Sequence, residues 1–436
     1  MARAVSVLAA LALIGLLAFT APAAAELKDS IVIKWTYLAQ RVVRQLRLTN
    51  QLSAKLYGHV GVAQYLAYKQ AKGNAAVNAD LASAFAAHSV LARTNPNLAP
   101  SVLDTPLYED VVASGVSVAV RDASAALGIK IGIDIATASA TDAGLQVSYY
   151  RPGYPDSLAK DDVYVFTPEQ IGAPRDFLLY PNYANGSTFI YPVRAWSGSK
   201  IPALTAPYLK APFKFGSADF EAENKVVLEQ GGTYAPNRTP YDTDTARFWL
   251  GAVSGSGGQG SAGVTGMVQN ISIALLPGTY TPEQQAAFFA KLGTAFYDAI
   301  VAVWYVKFKV PRWRPITAIQ KYYNASWTPL LGTPQHPEYP SAHQGIFGGG
   351  WSVLVRELGG KTDYTFTVKS DWPNIADRTY TNLNDAAAEA GNSRIFAGAH
   401  WAQANNDAFA IGKAVGEYIY DNIDKLIYGK QAPLKW

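Results

Sequence analysis

Cysteine is absent from the 436-residue chain. That excludes disulfides, thiolate metal sites and a cysteine nucleophile, so the fold must be held by core packing. Histidine is scarce, with five copies, and charge is nearly balanced: 37 Lys and Arg against 33 Asp and Glu leave a formal net charge of +4. So small an excess makes no basic stripe, and no nucleic-acid partner is expected. The glycine patterns of Walker and Rossmann nucleotide sites, the G-x-S-x-G elbow of serine hydrolases and the H-E-x-x-H pair of zinc proteases are all missing. Neither an internal repeat nor a low-complexity tract occurs.

Apolar residues are plentiful. At 49% of the chain they can fill a sizeable core, in one large domain or two closely packed halves. The N-terminus has a charged start at Arg3, an apolar run from Val5 to Phe19 and the small residues Ala23, Ala24 and Ala25, which is the pattern of a secretory signal peptide. The run is short for a membrane span, and Pro22 interrupts its far end. Residues 1–25 are expected to be removed, leaving a secreted, extracellular mature form with no membrane span; an uncleaved anchor helix is the alternative. Sequons at Asn185, Asn237, Asn270 and Asn324 matter only in a eukaryotic secretory route.

Beyond the signal peptide the chain divides into three. Residues 26–144 read as an N-terminal helical half. From Ile31 to Lys72 apolar residues recur at helical spacing, Asn95-Pro96-Asn97 breaks the pattern, and a second helical piece covers about 106–138. Residues 145–240 lose the period and are rich in Pro, Gly, Tyr, Asn and Ser. They read as a long, irregular, aromatic-rich connection, with short strands expected around 163–166 or 189–193. Residues 241–436 form a C-terminal helical half, interrupted by a Gly- and Ser-rich loop at 255–262. The clearest helix begins with Thr281 as N-cap, Pro282 in the first position and Gln284 completing a capping box. Phe288, Leu292, Phe296, Ile300 and Trp304 then mark its buried stripe.

Lys307 falls on that stripe. A lysine there either snorkels past the helix end or meets an anion. Pro311 stops the helix near Val310, and the stretch Lys-Phe-Lys-Val-Pro-Arg-Trp-Arg-Pro packs two lysines and two arginines beside the apolar helix end. Such a cluster suggests an anion pocket, and Arg314 has the planar fork that grips two oxygens. Three of the histidines, His336, His343 and His400, follow within 65 residues of one another; His59 and His88 lie in the N-terminal helices, where a structural role is expected. Pro340-Ser341-Ala342-His343 reads as a helix start, with Ser341 as N-cap, Gln344 completing a capping box and the helix stopping at Gly359-Gly360. His343 then sits in the first turn, where free amides and the helix dipole favour an anion. Arg394 and His400, six residues apart, would point about 120° apart on one helix. Both face one site if Arg394 lies in a loop and His400 near the start of a helix reaching about Asp421. A three-histidine zinc site, a hydrolase built on Ser341, and a purely structural set of caps and core histidines are the other readings of these residues.

Together the residues spell Lys307 through Arg314-Pro315, Pro340 through His343, and Ser393-Arg394 through His400. This resembles the three-block signature shared by vanadium-dependent haloperoxidases and type 2 phosphatidic acid phosphatases. The flanks, among them Trp313-Arg314-Pro315-Ile316-Thr317-Ala318-Ile319, His336-Pro337-Glu338-Tyr339-Pro340-Ser341 and His400-Trp401, resemble the haloperoxidase branch. The clear resemblance covers about 236–420.

The resemblance implies an all-α fold of two four-helix-bundle-like halves packed together. It implies a bound vanadate held by Lys307, Arg314, Ser341, the amide of Ala342 and Arg394, with His400 as the axial ligand to the metal. His343 would be the acid–base residue, joined in catalysis by Lys307 and His400, while Trp304 and His336 are candidates for the halide site. Vanadate would act as a Lewis acid, and hydrogen peroxide, a halide ion and a small organic acceptor would be the reaction partners. At the place of His336, bromoperoxidases carry histidine and the fungal chloroperoxidase type carries phenylalanine, which favours bromide and iodide over chloride. Three positions depart from the pattern. Ala342 replaces a glycine and would be strained if φ there is positive. Ala404 stands where an aspartate usually supports the axial histidine, with Asp407 one turn on. Pro311 interrupts the cationic stretch. A phosphatase using His400 as nucleophile, and a binding protein with a retired site, are the competing functions.

Overall fold

The computed structural model describes residues 30–94, 96–140, 147–149, 179–181, 195–198, 200–210, 213–251, 263–334, 336–372 and 374–428. The expected signal peptide, the strands expected at 163–166 and 189–193, and the whole Gly-Ser loop at 255–262 lie outside these residues. The fold is all-α.

The N-terminal half supplies α1 (Ile31–Leu46), α2 (Asn50–Ala71), α3 (Ala79–Thr94), α4 (Asp104–Ser114) and α5 (Val118–Ala140). Serine and threonine hydroxyls start the first two: Ser30 accepts from the Ile33 amide and Thr49 from the Leu52 amide. The piece expected at 106–138 is two helices, because Gly115 takes φ 60° and ends α4 in a left-handed turn. Next come β1 (Val147–Tyr149) and β2 (Leu179–Pro181), an antiparallel pair, and α6 (Ile201–Thr205). The region read as irregular also holds a well-formed helix, α7 (Ala218–Gln230), capped by Ser217. It was hidden because only Phe220, Asn224 and Val227 of it are buried, too narrow an apolar stripe to stand out from its polar surroundings.

The C-terminal half contains α8 (Pro240–Phe248), α9 (Val264–Leu275), α10 (Pro282–Lys309), α11 (Pro315–Tyr322) and α12 (Ala342–Glu357). An antiparallel hairpin, β3 (Asp363–Val368) with β4 (Arg378–Asn382), leads into α13 (Leu383–Phe396) and α14 (Ala402–Tyr428). Helix α10 begins as expected, with a complete Thr281–Gln284 capping box and Pro282 in the first turn. Its burial is not confined to one stripe, since every residue from Ala299 to Trp304 has zero exposure. It packs on α2 on one side and on α12 and α14 on the other, so it is the strut shared by both groups of helices. Length and composition would let α10 cross a membrane, but it is buried in the protein core. One continuous apolar cluster runs from Val32 to Ile423 through this helix. A smaller cluster of Phe220, Trp313, Trp327, Ile395 and Trp401 forms a separate wall around the connections that follow α10 and α13.

Candidate oxyanion site

Lys307, in the last turn of α10, has no exposure and does not snorkel. Its ammonium donates to the carbonyls of Pro337, at 2.7 Å, and Glu338, at 3.1 Å. Pro311 leaves Val310 as the helix C-cap, and the four cations of this stretch then part company. Lys309 is exposed, with its ammonium 5.7 Å from the Tyr305 ring. Arg312 lies 4.3 Å over the Trp401 ring and 3.6 Å from a carboxylate oxygen of Glu338. Arg314 turns inward and is fully buried. Its Nε donates to the His336 carbonyl at 2.9 Å and its Nη1 to the Ala399 carbonyl at 2.9 Å, while its Nη2 lies 3.0 Å from His336 Nδ1. Nη1 also lies 3.1 Å from His400 Nε2.

Ser341 precedes α12 as its N-cap residue, yet its hydroxyl caps nothing and has no hydrogen-bond partner although fully buried. The expected capping box does not form. Gln344 instead reaches across to donate to the Ala387 carbonyl on α13 at 2.9 Å, leaving the first amides of α12, including that of Ala342, without a side-chain cap. Ala342 begins the helix and is not among the residues with positive φ, so the strain expected from its methyl is absent. His343, in the first turn, is buried, and its Nε2 has no partner.

Arg394 departs from the loop position expected of it, while His400 lies close to the start of a helix, as expected. Arg394 is on the helix, in the last turn of α13, and His400 is in the connection to α14, which runs on to Tyr428. The turn between them depends on Gly398, at φ 73°, where a Cβ would run into the Gly231 carbonyl and Pro329. The chain doubles back so tightly that the amides of Ala399, at 3.0 Å, and His400, at 3.3 Å, both bond to the Arg394 carbonyl. Arg394 is buried, and its Nε and Nη1 have no hydrogen-bond partner.

A residue with no role assigned from sequence completes the site. Glu338 has no exposure, and its Oε1 accepts from His400 Nδ1 at 3.0 Å and from the Trp401 amide at 3.1 Å. Ala404, where an aspartate was expected, instead offers its carbonyl to the Ser341 amide at 2.9 Å. Asp407 does not reach His400 but accepts from the Tyr339 hydroxyl at 2.7 Å. The signal for Glu338 lay in the Pro-rich turn before Ser341, where an acid follows four cations; its partner could not be read until Arg312 and His400 came together.

The electrostatics are one-sided. Three buried cations, Lys307, Arg312 and Arg314, act on the buried carboxylate of Glu338, and a fourth, Arg394, acts on His343 and His400. Burial and the neighbouring Arg314 push the Lys307 ammonium well below the lysine range, with Glu338 pulling the other way. Burial brings Arg394 down to about 10. His400 is held neutral by burial and by Arg314, Lys307 and Arg394, and His336 by burial and the same cations. For His343 the causes are burial and Arg394. His336 Nδ1 lies between the Arg314 guanidinium, at 3.0 Å, and the Pro337 carbonyl, at 3.2 Å. The His336 and Trp304 rings are 4.9 Å apart at 47°, and the Trp304 ring lies 5.7 Å from the Lys307 ammonium. Unmatched buried positive charge beside unpartnered donors and an open helix N-terminus is the chemistry of a tetrahedral oxyanion cradle. Orthovanadate fits it, with cations and donors for its oxygens and a neutral imidazole nitrogen for the metal. No hydrogen bond links Ser341 to His343, so a serine nucleophile has no base, and no group of three His, Cys, Asp or Glu gathers as a metal site among the described residues. His59 and His88 are structural, the first in edge contact with Trp196 and the second 2.7 Å from Asp104.

Residues 323–429 match the family described as the VCPO second helical-bundle domain, a stretch that includes Ser341, His343, Arg394 and His400. No curated protein matches the sequence. Among solved structures, one described as the first bacterial vanadium-dependent iodoperoxidase matches 90% of this chain and 95% of its own, with a TM-score of 0.69 at 18% identity. The apo form of a bacterial vanadium-dependent chloroperoxidase matches 94% of this chain and 97% of its own, with a TM-score of 0.54 at 14% identity. The holo form matches 94% and 95%, with a TM-score of 0.53 at 12% identity. The chain therefore has the all-α fold of the vanadium-dependent haloperoxidases, and its C-terminal bundle is of their second-domain type.

Proposed function

We propose that this chain is a secreted vanadium-dependent haloperoxidase that oxidises bromide or iodide, and chloride less readily, with hydrogen peroxide to hypohalous acid. The observation that carries this reading is the buried surplus of positive charge around His400, with the donors of Ser341 and Arg394 left without protein partners. Lys307, Arg314, Arg394, Ser341 and the Ala342 amide would hold the vanadate oxygens and His400 Nε2 the metal. When bound, vanadate supplies Lewis acidity that makes peroxide electrophilic toward halide.

The protein's own part is positional and protonic. Arg314 Nη1 lies 3.1 Å from His400 Nε2, so an anion that takes the place of this contact meets both groups. Lys307 is fixed by two carbonyls, and an oxyanion beside it would oppose the burial and the Arg314 repulsion that disfavour its charged form. His343, held neutral by burial and by Arg394, is ready to take a proton from peroxide and return one to the departing oxygen. The His336 and Trp304 rings form a wall with an imidazole at its edge, suited to a large, soft halide. A small organic acceptor needs no pocket of its own if hypohalous acid diffuses out. Export would follow removal of residues 1–25, which N-terminal sequencing of the mature protein checks.

The decisive experiment strips the mature protein of metal, adds orthovanadate, and follows peroxide-dependent bromination of a phenolic dye, with iodide and chloride in parallel. Turnover should appear only with vanadate and vanish in His400→Ala. Bromination without vanadate, or an undiminished variant, overturns the assignment. A phosphatase is the second reading, because the same cradle accepts phosphate and Glu338 bonds His400 Nδ1 as a nucleophilic imidazole requires. Aryl phosphate hydrolysis without vanadate, in the absence of any halide turnover, establishes it.

A further inference from the structure

The geometry points to Glu338 as the positioning residue of the oxyanion site, a carboxylate that holds His400 by Nδ1–H and so presents Nε2 as the bonding atom. The inference rests on the oxyanion reading above. Its basis is a chain of buried contacts. Glu338 Oε1 is 3.0 Å from His400 Nδ1 and 3.1 Å from the next residue's amide, so one oxygen fixes both the ring and the backbone that carries it. The other oxygen faces Arg312, at 3.6 Å. Arg312 is itself held between rings, 4.3 Å over Trp401 and 5.8 Å over Phe220. The Glu338 amide donates to the Arg312 carbonyl at 2.9 Å, and its carbonyl receives the Lys307 ammonium. Glu338 thus ties three separate segments, the end of α10, the turn before α12 and the connection after α13, to one imidazole. A carboxylate behind a metal-bound histidine fixes its tautomer and orientation and strengthens it as a ligand. Here that carboxylate comes from the turn before Ser341, which explains how Ala404 can occupy the start of α14 without leaving His400 unsupported.

The test compares two probes on the metal-stripped, full-length mature protein: orthovanadate, which bonds to Nε2, and inorganic phosphate, which meets only the cations and donors. In Glu338→Gln, vanadate affinity should fall about 10- to 100-fold, while phosphate affinity stays level or rises, because a buried negative charge has been removed. A parallel fall for both anions would mean that Glu338 only maintains the pocket's shape, and a parallel rise that it acts only as a charge; either overturns the proposal. Adding Glu338→Gln to His400→Ala should weaken vanadate binding no further, since the effect passes through the imidazole; a second full loss overturns it. Imidazole ¹⁵N spectra of the unsubstituted apo protein provide a check that needs no variant. His400 should carry its proton on Nδ1, and a proton on Nε2 sinks the idea. If neither anion binds the unsubstituted protein, the oxyanion reading itself fails, and this inference with it.

Discussion

At the residue scale, the informative substitutions are those where the chain departs from the family pattern. Ala342 stands in place of glycine at the head of α12, and its ordinary helical backbone shows that the position makes no demand for a left-handed conformation. Its methyl packs against the main core. Ala342→Gly should therefore leave vanadate-dependent turnover within about twofold and lower stability by about 0.5 kcal/mol through lost helix propensity. A large gain in turnover would show that the methyl does crowd the oxyanion. That Ala342 and Ala404 both sit comfortably weakens the case for a retired site. Most of the candidate site residues were nominated by the resemblance of three short blocks to the family signature. Glu338 was not, because its meaning depends on a histidine 62 positions away.

At the element scale, the site depends on how closely helices approach beneath it. On α14, a Cβ added at Gly412 would overlap the Gly345 carbonyl of α12 and lie 2.7 Å from the Gly349 amide. Backbone cannot yield there as a flexible side chain would. Gly412→Ala should destabilise the protein by about 3 kcal/mol or more, at the upper end for overpacking, measured by urea unfolding. Because α12 carries Ser341 and His343 at its N-terminus, any stable remnant should also bind vanadate more weakly. An unchanged unfolding midpoint would mean that the two helices do not meet at this point. The periodicity of α10 located the helix and its start, but its amphipathic reading was incomplete. A helix serving two bundles is apolar all round, and a pattern scored for one face cannot say how many neighbours it has. Arg394 was misplaced in a loop for a related reason: a glycine marks where a chain can turn, and only the packing of Gly398 on Gly231 and Pro329 shows where it does.

At the scale of the whole molecule, buried neutral imidazoles make stability depend on pH. Burial, reinforced by Lys55, pushes His59 down from its ordinary 6.5 to about 3. Between those values the unfolded chain binds a proton that the folded chain refuses, so this contribution is complete above pH 6.5 and is lost as pH falls toward 3. His336, His343 and His400 are lowered in the same direction. The urea midpoint should fall steadily from pH 7 to pH 4, and more shallowly in His59→Gln. Equal slopes in the two proteins would remove His59 as a cause.

The sequence by itself determined the helical class, the start of the central helix and the three short blocks that nominate the candidate site residues, because capping, periodicity and motif are local properties. The tertiary structure decided which cations turn inward, which residue supports His400, and that Ser341 keeps its hydroxyl free of its own helix. Each of those outcomes depends on contacts between segments far apart in the chain, where burial, not local preference, selects the partner.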